Sequence, residues 1–314
     1  MKSLSRFAVV FLLIAGYGLP AWAQATAEAP PQQETETSEQ QEVNEEWVDE
    51  LDIGRFMRVR RDASDNPVAM ETSITRYVTT NSDGERVTVD LIGVVHIGEK
   101  DYYEELNELF AKYDALLYEL VAPEGTVIPR GGRSESAGMN PVAVLQQSLQ
   151  SVLGLEFQLE HIDYTVDNFV HADMTPEEFG ESMEENDESF FKMALKAFGQ
   201  SMAMQSSNSE LSDASLLMAM FSSDREMKLR RIMASQMQDM ESGMVIFEGR
   251  DGSTIIHHRN RKALQIMHEQ IESGKTRLGI FYGAGHLPDF DEHLRKSHGM
   301  KRGGQFWLEA WDLR

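Results

Sequence analysis

Twice in this chain an apolar run ends in Gly-x-x-His and a helix-patterned stretch follows: Leu91-Ile92-Gly93-Val94-Val95-His96, and Arg277 to Tyr282 leading into Gly283-Ala284-Gly285-His286. A short apolar run that enters a glycine and then a helical repeat reads as a buried strand of an α/β sheet. In open α/β sheets the ligand crevice lies at the carboxyl ends of the strands, so this arrangement sends both histidines to one crevice. The glycines serve the same end, since a residue without a side chain lets backbone bend or approach a ligand closely.

The flanking pattern extends this reading. Thr72–Thr80 and Arg86–Val95 are rich in Val, Ile, Thr and Tyr and flank Asn81-Ser82-Asp83-Gly84, which predicts a β-hairpin. Glu99–Tyr113 carries Tyr103, Leu106, Leu109, Phe110 and Tyr113 at helical spacing, and Asp114–Val121 reads as the next strand, completing a βαβ unit. Later, Asn260–Glu272 is helical, Pro288–Lys296 is a short helix and Gln305–Trp311 alternates as a final strand. The expected fold is α/β, with a mixed, largely parallel central sheet flanked by helices.

Between these ends the pattern becomes helical. Pro141–His161 places Leu145, Leu149, Val152 and Leu153 in helical register, and Thr175-Pro176-Glu177-Glu178 is a helix start with a capping box. Phe190–Met244 lacks proline and is rich in Met, Leu and Ala. We read about 140–245 as a Met-rich helical insert, its methionines acting as adaptable packing residues rather than copper ligands.

The remaining chain is organised for export. Lys2 and Arg6 precede the apolar run Phe7–Tyr17, which leads to Ala21-Trp22-Ala23, so residues 1–23 read as a signal peptide. Residues 24–46 read as a disordered acidic linker, too poor in apolar side chains to offset the entropy of ordering. Residues 47–314 form the folded domain, with a periplasmic or secreted location and no stable membrane insertion after signal cleavage. The chain has no cysteine, which excludes disulfides, thiolate metal sites and thiol nucleophiles. A formal net charge of −23 argues against nucleic acid or an anionic membrane surface as partner.

Glu119 lies near the carboxyl end of the strand Asp114–Val121 within an otherwise apolar run. A buried carboxylate needs a cation, a metal or hydrogen-bond donors. His96, His286 and Glu119 would form an open coordination set for zinc, manganese or iron, or act without metal through a neutral histidine base. Arg259-Asn260, at the start of a helix, suits stabilisation of an oxyanion or a substrate carboxylate; the alternative is an Asn260 N-cap beside a surface Arg259. Asp289 and Asp291 are placed to accept from a ligating imidazole's other nitrogen. His161-Ile162-Asp163 and His171-Ala172-Asp173 read as structural or cleft-lining.

The segments GVVHIG at 93–98, LLYELV at 116–121, HRNRKAL at 258–264 and GIFYGAGHLPDF at 279–290, in that order, resemble the TraB/GumN/TIKI family. The resemblance covers roughly Val87–Ala122 and Thr254–Arg295. It implies an α/β fold related to erythromycin esterase and to a haem-binding lipoprotein class. It also implies a metal-dependent protease site using manganese or cobalt. By motif position that site comprises His96, Glu119, Arg259, Asn260 and His286. His257 and His258 stand where the family often has an acidic residue before Arg-Asn. The function expected from the sequence is an exported metal-dependent, peptidase-like hydrolase with a peptide or small-molecule substrate. The alternatives are a non-enzymatic protein that binds or sequesters a peptide or small ligand in the same cleft, and a metal-free esterase-like hydrolase.

Overall fold

The computed structural model describes residues 55–131, 152–186, 222–244 and 254–314. The expected signal peptide, the expected acidic linker and much of the expected Met-rich insert lie outside the described residues. Strand β1 (Met57–Arg61) precedes the long β2 (Pro67–Thr80), which turns through Asn81 into β3 (Arg86–Val94). Asn81 Oδ1 accepts from the backbone N–H groups of Asp83 and Glu85, so a single side chain closes the hairpin. The two-residue strand β4 (Ile97–Gly98), helix α1 (Lys100–Phe110) and β5 (Ala115–Tyr118) follow.

The segment β6 (Glu156–Phe157), the single turn α2 (Gln158–His161), β7 (Phe169–His171) and α3 (Pro176–Glu185) comes next. Helix α4 (Arg225–Met244) follows, and a π-helical turn at Thr254–His258 runs into α5 (Arg259–Glu272). After it come β8 (Arg277–Gly283), a 3-10 turn at Ala284–His286, α6 (Leu287–Lys296) and β9 (Lys301–Asp312).

The seven-stranded sheet runs β1-β2-β3-β8-β5-β7, with β9 pairing to β2. Its site-bearing half is parallel: β3 with β8, β8 with β5 and β5 with β7. The other half is antiparallel, because β2 pairs that way with β1, β3 and β9. The sheet is therefore mixed and flanked by helices, with the site carried by its parallel half. A short turn forces β2 and β3 antiparallel, and the returning C-terminal strand then lies along β2. The crossover from β3 through α1 to β5 skips one position, which β8 fills, so Glu119 lies beside the second histidine's strand and not the first's.

Continuous apolar runs in the sheet centre are buried on both faces, as the sequence predicts. Ile92, Leu116 and Phe281 pack on one face with Tyr103, Leu106 and Phe110 of α1. Leu91, Leu117, Ile280 and Tyr282 pack on the other with Ala263 and Met267 of α5 and Leu287, Phe290 and Leu294 of α6. Each fully buried large apolar side chain contributes about 1.5–3 kcal/mol, so these two layers hold the parallel strands in register. Gly93 marks one close approach, since a Cβ there would lie 2.9 Å from Leu287 Cδ2.

Thr175 caps α3 through the predicted capping box with Glu178. The helical register expected over Pro141–His161 lies partly outside the described residues. Where it is described, Gly154 at φ 61° interrupts it and β6 follows. No helix among the described residues is long and apolar enough to cross a membrane.

Candidate active site

Four parallel strands deliver their C-terminal residues to one edge of the sheet: His96 after β3, Glu119 after β5, Asp173 after β7 and Gly283 at the end of β8. A Cβ built on Gly283 would have Glu119 Oε2 at 3.2 Å, His96 Nε2 at 3.7 Å and His286 Cδ2 at 3.9 Å. The two histidines therefore lie on the same side of the sheet, together with the carboxylate. Glycine at 283 also leaves room for its own N–H to donate to Glu119 Oε2 at 2.7 Å.

Glu119 is anchored at both oxygens. Arg259 Nη2 donates to Oε1 at 2.7 Å, and the same guanidinium binds Asp173 through Nε at 2.9 Å and Nη2 at 2.6 Å. All three side chains are buried. Burial alone would push the Glu119 carboxyl up, but Arg259, the two histidines and the Gly283 N–H outweigh it and bring it down to about 2. Glu119 is thus ionised at any ordinary pH. Arg259 is held well above its usual value by Asp173 and Glu119, against the cost of burial. This group carries two carboxylates and one guanidinium, so one negative charge is uncompensated among them.

His286 is 1 % exposed, and its Nδ1 lies 2.6 Å from Asn260 Oδ1. The orientation of that amide follows from its other end, where Asn260 Nδ2 donates to the His286 carbonyl at 3.0 Å and to Asp289 Oδ2 at 2.8 Å. Both of those partners only accept, so Oδ1 faces the ring, Nδ1 carries the proton and Nε2 is a bare lone pair. Nε2 is buried without a hydrogen-bond partner among the described residues; Glu119 Oε1 is 3.5 Å away. Burial pushes the imidazole down to about 4, with Glu119 opposing and Arg259 assisting, which keeps the ring neutral.

His96 is more open. Its Nδ1 lies 3.0 Å from Oε1 of the buried Gln158, which the sequence reading missed. The available signal was weak, a glutamine in the alternating run Leu155-Glu156-Phe157-Gln158-Leu159. Asp173, read as structural or cleft-lining, belongs to the buried ion group.

Arg259 and Asn260 are both buried, so the arrangement of a surface arginine beside a capping asparagine does not occur. Asn260 lies within the first turn of α5, one residue past its start. Asp289 is linked to His286 by hydrogen bonds through Asn260. Asp291 lies in a separate cluster with Tyr77, Arg295 and Arg302. His171 donates its Nε2–H to the Leu120 carbonyl oxygen at 2.6 Å. His171 and Asp173 also line a cavity of about 190 Å³ with Glu124, Thr175, Glu178, Lys262 and Ile266.

Two imidazoles and a carboxylate match the donor chemistry of a divalent cation, and the bare Nε2 of His286 is the kind of orphaned atom that a ligand would satisfy. The spacing is looser than a formed coordination sphere. Among the described residues, the group of three His and acidic side chains whose ligand atoms all lie within 4.8 Å of one another is Glu156, Glu160 and His161, all partly exposed beside β4. No family model matches the chain, and no curated protein or solved structure matches it.

Proposed function

We propose that the chain is an exported metal-dependent hydrolase, peptidase-like in its substrate, as its resemblance to the TraB/GumN/TIKI family implies. The observation that carries this reading is the bare, buried Nε2 of His286 beside an ionised Glu119. A neutral nitrogen lone pair and a carboxylate, in a group with one uncompensated negative charge, favour a cation. His96, Glu119 and His286 would hold it, with manganese or cobalt by family resemblance and zinc as a further candidate. When bound, the ion supplies a polarised water or substrate carbonyl.

The chain's own residues divide the remaining work. Asn260 fixes the tautomer of His286, and Arg259 holds the Glu119 carboxylate in place with Asp173 behind it. This gives Arg259 and Asn260 a holding role in place of direct oxyanion stabilisation, since the guanidinium binds two carboxylates and each end of the amide has a protein partner. Apolar strands beneath Gly283 exclude water from one side, which strengthens every electrostatic contact above them.

A second reading follows from Glu119, whose two oxygens both already have protein donors. That commitment favours a metal-free esterase-like hydrolase, or a protein that binds a peptide or small ligand without turnover.

Metal content by mass spectrometry separates these readings. The purified protein is loaded in turn with manganese, cobalt and zinc, beside His96→Ala, His286→Ala and His161→Ala. The metal reading expects one ion that both site substitutions remove and His161→Ala leaves. Equal, negligible metal in all four proteins overturns it. Cleavage of a peptide library then distinguishes a hydrolase from a binder.

A further inference from the structure

We infer that Gln158 is a positioning residue for His96, holding the ring in the Nδ1–H tautomer with Nε2 on the side of Gly283. The use of Nε2 as a metal ligand rests on the hydrolase reading; the tautomer does not.

Gln158 grips His96 at two points. Strand β6 continues beside β4, pairing Phe157 with Ile97 and Glu156 with Gly98. That register puts the Gln158 backbone N–H 3.0 Å from the His96 carbonyl oxygen, and the side-chain Oε1 3.0 Å from His96 Nδ1. One residue therefore fixes both the backbone and the ring of the histidine. The amide is 3 % exposed, where an unpaired polar group would be costly, and its Nε2 donates to the Tyr164 hydroxyl at 2.8 Å. Tyr164 is itself wedged against Tyr118 and Phe169, with ring centroids at 5.3 and 5.6 Å.

The segment beyond Gln158 is tied down as well. Asn107 Nδ2 donates to the His161 carbonyl at 2.8 Å, and Asn107 Oδ1 accepts from Asp163 N–H at 3.0 Å. The glutamine is thus held by its strand, its aromatic partner and α1.

The second histidine shows the same device. His286 Nδ1 faces a buried carboxamide oxygen from Asn260, as His96 Nδ1 faces one from Gln158. Two rings from different strands, each with a neutral amide acceptor on Nδ1, turn toward one glycine. A histidine that ligates through one nitrogen generally donates its other N–H to an acceptor of this kind. A neutral acceptor fixes the tautomer without adding the negative charge that would favour protonating the ring. Were the Gln158 amide turned over, its NH₂ would donate to Nδ1, and His96 would offer an Nε2–H donor in place of a lone pair.

Long-range ¹H–¹⁵N NMR on ¹⁵N-histidine-labelled protein reads the tautomer directly, with His96 assigned by its loss in His96→Ala. Wild type and Gln158→Glu, which keeps the acceptor, are expected to show Nδ1–H; Gln158→Leu should gain Nε2–H. Affinity for cobalt should fall roughly 10- to 100-fold in Gln158→Leu and recover in Gln158→Glu. An Nε2–H tautomer in wild type overturns the inference without any variant having to fold. So does a tautomer unmoved in a folded Gln158→Leu. If the tautomer shifts as stated while no protein binds cobalt, the positioning role stands and the metal reading falls.

Discussion

His286 Nδ1 and Asn260 Oδ1 lie 2.6 Å apart, and the far end of the same amide faces two oxygens that can only accept. A helix start on one side of the chain thereby dictates the protonation pattern of a histidine at the end of a strand. Asn260→Leu removes that control and leaves a buried ring N–H and a carbonyl unpaired. We expect a loss of about 1–3 kcal/mol in urea unfolding and a roughly 10- to 100-fold drop in manganese or cobalt affinity by calorimetry. Unchanged affinity in a folded Asn260→Leu would show that the amide does not serve the site.

Arg259 joins two buried carboxylates, Glu119 and Asp173, for which no other Lys or Arg lies this close among the described residues. Arg259→Met strands both negative charges, and losing one partner of a buried pair costs about 3–5 kcal/mol. Urea unfolding should move by that amount, and Asp173→Asn should cost less, because Glu119 then keeps the guanidinium. A shift below about 1 kcal/mol for Arg259→Met would mean the group is solvated in solution.

The sheet centre was legible because Leu91 to Val95 and Leu278 to Tyr282 are buried on both faces, which leaves an apolar signature that survives without structure. The convergence of His96 and His286 was legible for a related reason: strand, glycine and histidine recur in the same order. Two things were not legible. Strand order depends on which strand enters between β3 and β5, and pairing across nearly two hundred residues leaves no local pattern. Gln158 was missed, and Asp173 was read as structural or cleft-lining without its ion partner, because His96 and Arg259 are brought to them only by the folded sheet. Arg259 and Asn260 were found as residues, but their hydrogen bonds give them roles that spacing could not assign.

Acid should weaken the fold in two stages near this site. His286 falls from an ordinary 6.5 to about 4 in the folded protein, so the native state binds fewer protons than the unfolded chain between those values. Its contribution is complete above pH 6.5 and is lost as the pH falls toward 4, by about 3 kcal/mol. Glu119 falls from 4.5 to about 2, so its contribution is present above pH 4.5 and fades as the pH falls toward 2. Urea midpoints measured from pH 7 to pH 3.5 should decline from near pH 6.5 downward. A midpoint flat from pH 7 to pH 4.5 would contradict a neutral buried His286.

Gly283 gives the most local test of the site's geometry. A methyl group there would sit 3.2 Å from Glu119 Oε2, tighter than ordinary contact, while the backbone N–H must still reach that oxygen at 2.7 Å. The carboxylate cannot retreat freely, because its other oxygen is bound by Arg259. Gly283→Ala should therefore cost about 1–3 kcal/mol by overpacking, read as a lower melting temperature, and should weaken divalent binding in parallel. Gly93→Ala provides the contrast: its methyl would meet Leu287 Cδ2 at 2.9 Å and Ser73 O at 3.4 Å, away from the carboxylate. It should lose comparable stability with a smaller change in ion affinity. Equal effects of the two substitutions on binding would show that overall stability, and not the placement of Glu119, governs the site.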